Sequence, residues 1–253
     1  MEIDHFMKLS IVTTIYKSEQ YIEDFVRAVS EEADKITPDY EIIIVDDGSP
    51  DNSLNVALNI QETNSRIHII ELSRNFGHHK AMMTGLKQAT GEMIFLIDSD
   101  LEENPELLNL FYRKMQENDV DVVYGVQKNR KGNFFEKISG WLFYRLFNLL
   151  SGISLPQNLT TARLMKREYV RSLIRHRERE LLIGGVWNIT GFRQVEFQIN
   201  KESKKASSYT TINKIKMALD GIASFSKVPL QLIFYFGLFI LFVDSLYITY
   251  AIL

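Results

Sequence analysis

The chain of 253 residues contains no cysteine. That excludes disulfides, thiolate metal centres and a cysteine nucleophile, and it fits a domain facing a reducing compartment. No repeat or low-complexity stretch interrupts the sequence, and no nucleic-acid motif accompanies its basic residues. Met1–Lys8 is too polar to read as a signal peptide. What is there is ordinary for a folded protein: 45% hydrophobic and 24% charged residues. The length allows one α/β domain with a sizeable core and a short appendage.

The net charge of −3 conceals two halves of opposite sign. Residues 1–120 hold 10 Lys and Arg against 23 Asp and Glu, whereas residues 121–253 hold 19 against 9. An acidic lobe in solvent and a basic lobe near something anionic is the expectation, with chance clustering on solvated faces as the plainer alternative. Nucleic acid is not expected as a partner. Leu230–Leu253 is apolar but for Gln231, Asp244 and a few Ser, Thr and Gly. As a helix it would extend about 36 Å, enough for a hydrocarbon core of roughly 30 Å. Lys214, Lys216 and Lys227 precede it, which places the large domain in the cytoplasm by the positive-inside rule. Asp244, near the middle, would cost roughly 2.5–3.5 kcal/mol if left alone, so a polar group or a second helix is expected beside it. Further membrane segments beyond residue 253 are also expected.

Along the chain, apolar runs at 9–15, 40–45, 67–72, 93–97 and 120–126 read as strands. Segments 20–35, 52–62, 80–89 and 105–117 between them carry helical spacing or helix-start signals. This alternation predicts a mostly parallel sheet with helices on both faces, whose ligands bind beyond the carboxyl ends of the strands. Three polar clusters, at 46–49, 73–79 and 98–103, follow such ends and should converge. Later, Phe134–Leu150 reads as an aromatic helix suited to a membrane surface or to a core. Residues 166–179 read as a solvated Arg-rich helix, 193–199 as a strand and 212–223 as an amphipathic helix.

Phe95–Asp100 (FLIDSD) is the most informative segment. Side chains at i and i+2 of an extended backbone point the same way, so Asp98 and Asp100 can share one ligand. Their hard oxygens suit Mg2+ or Mn2+, which would bridge diphosphate oxygens and offset charge on a departing nucleotide. Glu102 is a third candidate ligand. In Val45-Asp46-Asp47-Gly48-Ser49 an acid could accept hydrogen bonds from a base or ribose, or could cap the next helix.

IVTTIYKSE, IIIVDDGSPD, LSRNFGHHKAMMTGL and IDSDLEENPELL resemble, in order and spacing, segments of family 2 glycosyltransferases with the GT-A fold. The resemblance is nearest to the polyprenyl-phosphate branch, which includes dolichol-phosphate mannosyltransferases and undecaprenyl-phosphate glucosyltransferases. It implies an α/β GT-A (nucleotide-diphospho-sugar transferase) fold followed by membrane-surface helices and a C-terminal transmembrane helix. The expected division is a nucleotide-sugar half (1–126), an acceptor half with juxtamembrane helices (127–227) and a transmembrane helix (228–253). Expected partners are a UDP- or GDP-sugar, a lipid-phosphate or lipid-linked saccharide acceptor, the cytoplasmic membrane and further copies of the chain. The resemblance implies that Thr14, Tyr16, Val45 and Asp47 line the nucleotide pocket, and that Asp98 touches ribose or metal. Asp100 would hold the metal against the diphosphate, with Glu102 where the family often has Gln. Arg74 and His78 would lie in a loop edging the site.

Departures from the pattern occur in both halves and alter the acceptor half more, where Gln127 stands at a position commonly basic and a Lys201, Lys204, Lys205 cluster replaces the family's Arg and Gly before Ser207. Thr14 stands where Pro is usual, Lys17 where Asn is usual, and Thr161-Ala162-Arg163-Leu164 where Asp-Phe-Arg-Leu is usual. A lipid phosphate needs cations rather than a base, because its second pKa lies near 6. Arg130, Arg163, Lys204 and Lys205 are the candidates, each equally readable as an ordinary surface charge. A sugar hydroxyl would need a base, with Glu178 and Glu180 as candidates. A non-catalytic nucleotide-sugar-binding membrane subunit is the alternative of a different class.

Overall fold

The computed structural model describes residues 7–127, 158–176, 183–199 and 228–252. Two adjacent inner strands, β1 (Leu9–Ile15) and β2 (Tyr40–Asp46), are buried at every position. Runs rich in Val and Ile with no exposed face are what a parallel strand covered on both sides requires. Helix α1 (Ile22–Asp34) buries Ile22, Phe25, Val26, Val29 and Ala33, one stripe at helical spacing. Then follow α2 (Ser53–Thr63), β3 (Ile67–Glu71), α3 (His78–Gln88), β4 (Met93–Leu96), α4 (Leu107–Asn118) and β5 (Val122–Gln127). The left-handed Asp119 (φ 46°) ends α4. Beyond them lie β6 (Leu159–Lys166), α5 (Arg167–Leu173), α6 (Ile183–Ile189), β7 (Gln194–Ile199) and α7 (Val228–Ile252).

The seven strands form one sheet in the order β3-β2-β1-β4-β6-β5-β7. All run parallel except β6, which lies antiparallel between β4 and β5. The sheet is therefore mostly parallel, as the alternation predicts. Chain order reverses direction at β1, whose neighbours are β2 and β4. A crevice at such a switch point is where open α/β sheets bind ligands. Thr14 and Asp98 flank it, one on β1 and the other just after β4.

The sequence reading did not expect β6 or the helix at Ile183–Ile189, and two expected elements differ in detail. Helix α3 begins at His78 rather than at 80, which puts His78 in its first turn. The Arg-rich segment is helical over Arg167–Leu173 and buries Tyr169, Val170 and Leu173, so it is anchored by apolar side chains rather than fully solvated. The expected helices at 134–150 and 212–223 lie outside the described residues.

Residues 7–127, 158–176 and 189–199 belong to one compact unit, which carries the sheet; 183–188 and 228–252 belong to a second. In the second, α7 is a 25-residue helix with exposed apolar side chains along its length, from Leu230 to Ile252. It is long and apolar enough to cross a membrane.

Candidate donor-binding site

Each acidic cluster is shaped by side-chain to backbone hydrogen bonds. Asp47, next after β2, donates its backbone N–H to the Ile15 carbonyl, which keeps the two strand ends level. Its carboxylate accepts from the backbone N–H of Phe76 (2.7 Å) and Gly77 (3.0 Å), so the loop after β3 is pulled over the end of β2. Asp47 is buried, and its carboxylate is committed to this loop. Asp46 accepts from the Ser49 N–H and closes the turn. Gly48 sits in that turn at φ 65°, and a Cβ there would lie 2.5 Å from the Arg74 carbonyl carbon. Both the conformation and the approach of the loop demand glycine.

The turn after β4 is built likewise. Ser99 Oγ donates to the Thr14 carbonyl at 3.0 Å, and Asp100 Oδ1 accepts from the Glu102 N–H at 3.0 Å. Leu101 stands at φ 57°, a left-handed conformation that is costly for a residue with a branched side chain. Glu103 holds the turn from below. β4 stops at Leu96, opposite Arg163, so β6 runs past it with N–H groups that have lost their ladder partner. Glu103 Oε1 and Oε2 accept from Thr161 N–H (3.2 Å) and Ala162 N–H (2.8 Å), in place of the missing strand.

These constraints bring Thr14, His78 and Asp98 together. His78 Nδ1 lies 2.9 Å from Thr14 Oγ1 and Nε2 lies 3.2 Å from Asp98 Oδ1. Burial would lower the His78 pKa, but the Asp98 hydrogen bond and the charges of Asp98, Asp47 and Asp100 outweigh it and raise the pKa above its ordinary value. Three carboxylates thus act on one imidazole. Among the described residues no group of three or more His, Cys, Asp or Glu side chains closes around a metal. Two carboxylates with further oxygens from a diphosphate fit Mg2+ or Mn2+, which are commonly held by one or two acids plus substrate phosphates.

The other expected residues are placed as follows. Tyr16 is exposed at the end of β1, with Lys17 Nζ 5.5 Å from its ring. The Arg74 guanidinium lies 4.2 Å from the ring of Phe76, also exposed. The Val45 side chain is buried, facing Gly85 of α3: a Cβ at Gly85 would lie 2.5 Å from Val12 Cγ1 and 3.0 Å from Val45 Cγ2. Glu102 stands beside Asp100, partly exposed. Arg163 is 1% exposed, on β6, with a hydrogen bond to Tyr169 and with Tyr124 and Glu103 near its charge. Burial pushes its pKa down to about 10 against those partners, which leaves it protonated at neutral pH. It sits in the interior rather than on an accessible face. Arg130, Glu178, Glu180, Lys204 and Lys205 lie outside the described residues. Sequence reading overlooked Glu103; its signal was an acid immediately beyond the Asp98–Asp100 turn, close to where β4 ends.

Residues 10–174 match the model of glycosyl transferase family 2. A Mycobacterium tuberculosis protein that carries a glycosyltransferase name is 50% identical over 239 residues, 94% of this chain and 70% of that protein. Among solved structures, glucosyl-3-phosphoglycerate synthase from Mycobacterium tuberculosis, in complex with phosphoglyceric acid, aligns with a TM-score of 0.60 at 16% identity, over 88% of this chain and 81% of that one. A mannosyltransferase from Pyrobaculum calidifontis in complex with GDP-Man and Mn2+ aligns with a TM-score of 0.54 at 18% identity, over 77% of this chain. This chain spans only 56% of that mannosyltransferase.

Proposed function

This chain belongs to glycosyltransferase family 2 and is a glycosyltransferase of the GT-A fold; from that premise we propose that it transfers a sugar from a UDP- or GDP-sugar to polyprenyl phosphate at the cytoplasmic membrane. The observation that carries the donor half of this reading is the Asp98–Asp100 turn, locked beside Thr14 at the switch point of the sheet. Residues 1–126 would bind the nucleotide-sugar, with Thr14, Tyr16, Asp47, Arg74 and the backbone at Val45 around the nucleotide. Asp98 and Asp100, with Glu102 beside them, would hold Mg2+ or Mn2+. When bound, the ion would supply positive charge to the diphosphate as it leaves. The acceptor phosphate would attack the anomeric carbon in line, with inversion, and would need orientation by cations rather than a base. Residues 127–227 would provide those cations, Arg130, Lys204 and Lys205, while buried Arg163 would support the site from behind. Residues 228–253 would anchor the chain, leaving the catalytic domain in the cytoplasm.

The interior position of Arg163 favours a second reading, because it removes one cation from the acceptor surface. In it the acceptor is a hydroxyl of a lipid-linked saccharide, and Glu178 or Glu180 is the base. Radiolabel transfer from a panel of UDP- and GDP-sugars into undecaprenyl phosphate, in detergent with Mg2+ or Mn2+, separates the two. Labelled lipid with wild type and none with Asp100→Ala supports the first reading. Donor turnover that never labels the lipid phosphate rejects it and favours the second. Absence of all donor turnover in folded protein, across the panel and both acceptor types, would point to a non-catalytic subunit.

A further inference from the structure

His78 reaches both edges of the switch-point crevice: Thr14 on β1 and Asp98 after β4. With the Thr14 hydroxyl donating to Nδ1, a neutral imidazole carries its hydrogen on Nε2, which faces Asp98 Oδ1 at 3.2 Å. A charged imidazole donates to both. The bridge holds in either state. Its position is over-determined as well. Asp47 grips the backbone of the two preceding residues, and Gly77, at φ 98°, turns the chain into the first turn of α3. Thr14 is fixed in turn by Ser99 Oγ on its carbonyl.

We propose that His78 is a positioning residue of the donor site: by tying the Thr14 hydroxyl to the Asp98 carboxylate, it sets the geometry in which Asp98 receives the cation and diphosphate of the nucleotide-sugar. This rests on the reading of Asp98 and Asp100 as the cation-holding pair. Outer partners of this kind orient metal-binding groups, and their loss commonly weakens metal affinity about 10–100-fold. His78 does not itself hold the cation, so its removal acts on the cation-dependent part of nucleotide binding and spares the rest.

The test is calorimetric titration of the full chain in detergent with UDP and GDP, in Mn2+ and in EDTA. His78→Ala is expected to weaken the Mn2+-dependent affinity about tenfold and to leave the affinity in EDTA within about twofold. His78→Gln, which keeps one donor and one acceptor, should recover part of the loss. Thr14→Val removes the other half of the bridge. With His78→Ala it should therefore be non-additive, the double variant losing little more than the worse single. The His78 side chain is 46% exposed, so truncation leaves the core packing in place. Should the alanine variant nevertheless fail to fold, His78→Gln against Thr14→Val carries the same comparison. An unchanged Mn2+-dependent affinity in His78→Ala overturns the proposal, and so does full additivity with Thr14→Val. Asp100→Ala separates this failure from that of the underlying reading: if Mn2+ still strengthens nucleotide binding without Asp100, the cation-holding pair itself is wrong.

Discussion

The two ends of the same three strands treat acidic side chains in opposite ways. At the amino ends of β1, β2 and β4, Glu41 is surrounded by donors. Ser10 Oγ donates at 2.6 Å, Thr90 N–H and Oγ1 each at 2.7 Å, with Lys8 at 4.0 Å and His68 at 3.7 Å. Ser10 Oγ also accepts from Gly91 N–H at 2.6 Å, closing a buried network. At the carboxyl ends, Asp47, Asp98 and Asp100 act together on one imidazole, and the backbone bends through positive φ at Lys17, Gly48, Gly77 and Leu101. The connections entering β2 (35–39) and β4 (89–92) contain no positive φ. One end satisfies its charge and is relaxed; the other concentrates like charge and holds strain. With the donor site placed as proposed, stability and function are segregated along one set of strands, as strain and unbalanced charge at binding sites lead one to expect.

Asp100→Ala should break this contrast most severely in activity. Losing one group that stabilises developing charge costs about 10²–10³-fold in turnover, while the melting temperature should change little, the relief of like charge offsetting the lost bond from the Glu102 N–H. A clear fall in melting temperature would mean that Asp100 holds the fold, and the segregation would fail. Glu103→Ala sharpens the contrast, because Glu103 belongs to both roles. Its removal strands the Thr161 and Ala162 N–H groups and takes one negative charge away from buried Arg163. Leaving a buried donor unpaired costs about 1–3 kcal/mol. Chemical denaturation should report a loss in that range, accompanied by weaker Mn2+-dependent nucleotide binding as the turn loosens. Arg163→Met in the same background should restore part of the stability.

Glu41→Gln probes the opposite end. Burial alone would raise the Glu41 pKa, but the bonds from Ser10 and Thr90 and the charge of Lys8 outweigh it and lower the pKa. A depressed folded-state pKa means that the carboxylate contributes stability in full above its unfolded-state value. That contribution disappears as pH falls through the folded-state value. The variant should lose about 1–3 kcal/mol at neutral pH, with donor turnover near that of wild type. The gap between the two should narrow as the solution is acidified below the ordinary glutamate value of about 4.3. Impaired turnover in Glu41→Gln would show that the two ends are coupled.

The sheet up to β5 was legible because its strands are unbroken apolar runs and α1 shows one clean stripe. β6 was not. Its sequence, LTTARLMK, places an arginine and two threonines in a buried strand. Periodicity cannot reveal that Glu103 and Tyr169 provide the partners that make Arg163 tolerable inside. The spacing of Asp98 and Asp100 was visible in the sequence, but the extended backbone assumed for it is not what the structure has: β4 stops at Leu96 and the chain turns at 99–101. Two roles were hidden. Asp47 reads as a nucleotide contact in sequence, yet in the structure its carboxylate restrains the loop at 76–77. His78 falls two residues before the predicted helix, and its partners come from 64 and 20 positions away. Side-chain bonds of that range leave no local pattern.

The smallest expected effect tests whether strain at the carboxyl ends is required or merely tolerated. Lys17 holds φ 56° beside the buried end of β1. The left-handed region costs an ordinary L-residue roughly 1–2 kcal/mol, and Asn is among the few that visit it readily. Asn is also the residue usual at this position in the family that the sequence resembles. Lys17→Asn should therefore raise stability by about 0.5 kcal/mol, part of the strain being relieved and part offset by losing the cation near the Tyr16 ring. Denaturant titration measures the gain, and nucleotide affinity measures its consequence. If stability rises while UDP and GDP bind as before, the strain at Lys17 is a by-product of the turn. If affinity falls with it, the lysine charge beside Tyr16 belongs to the donor site, and strain there is retained for the sake of that contact.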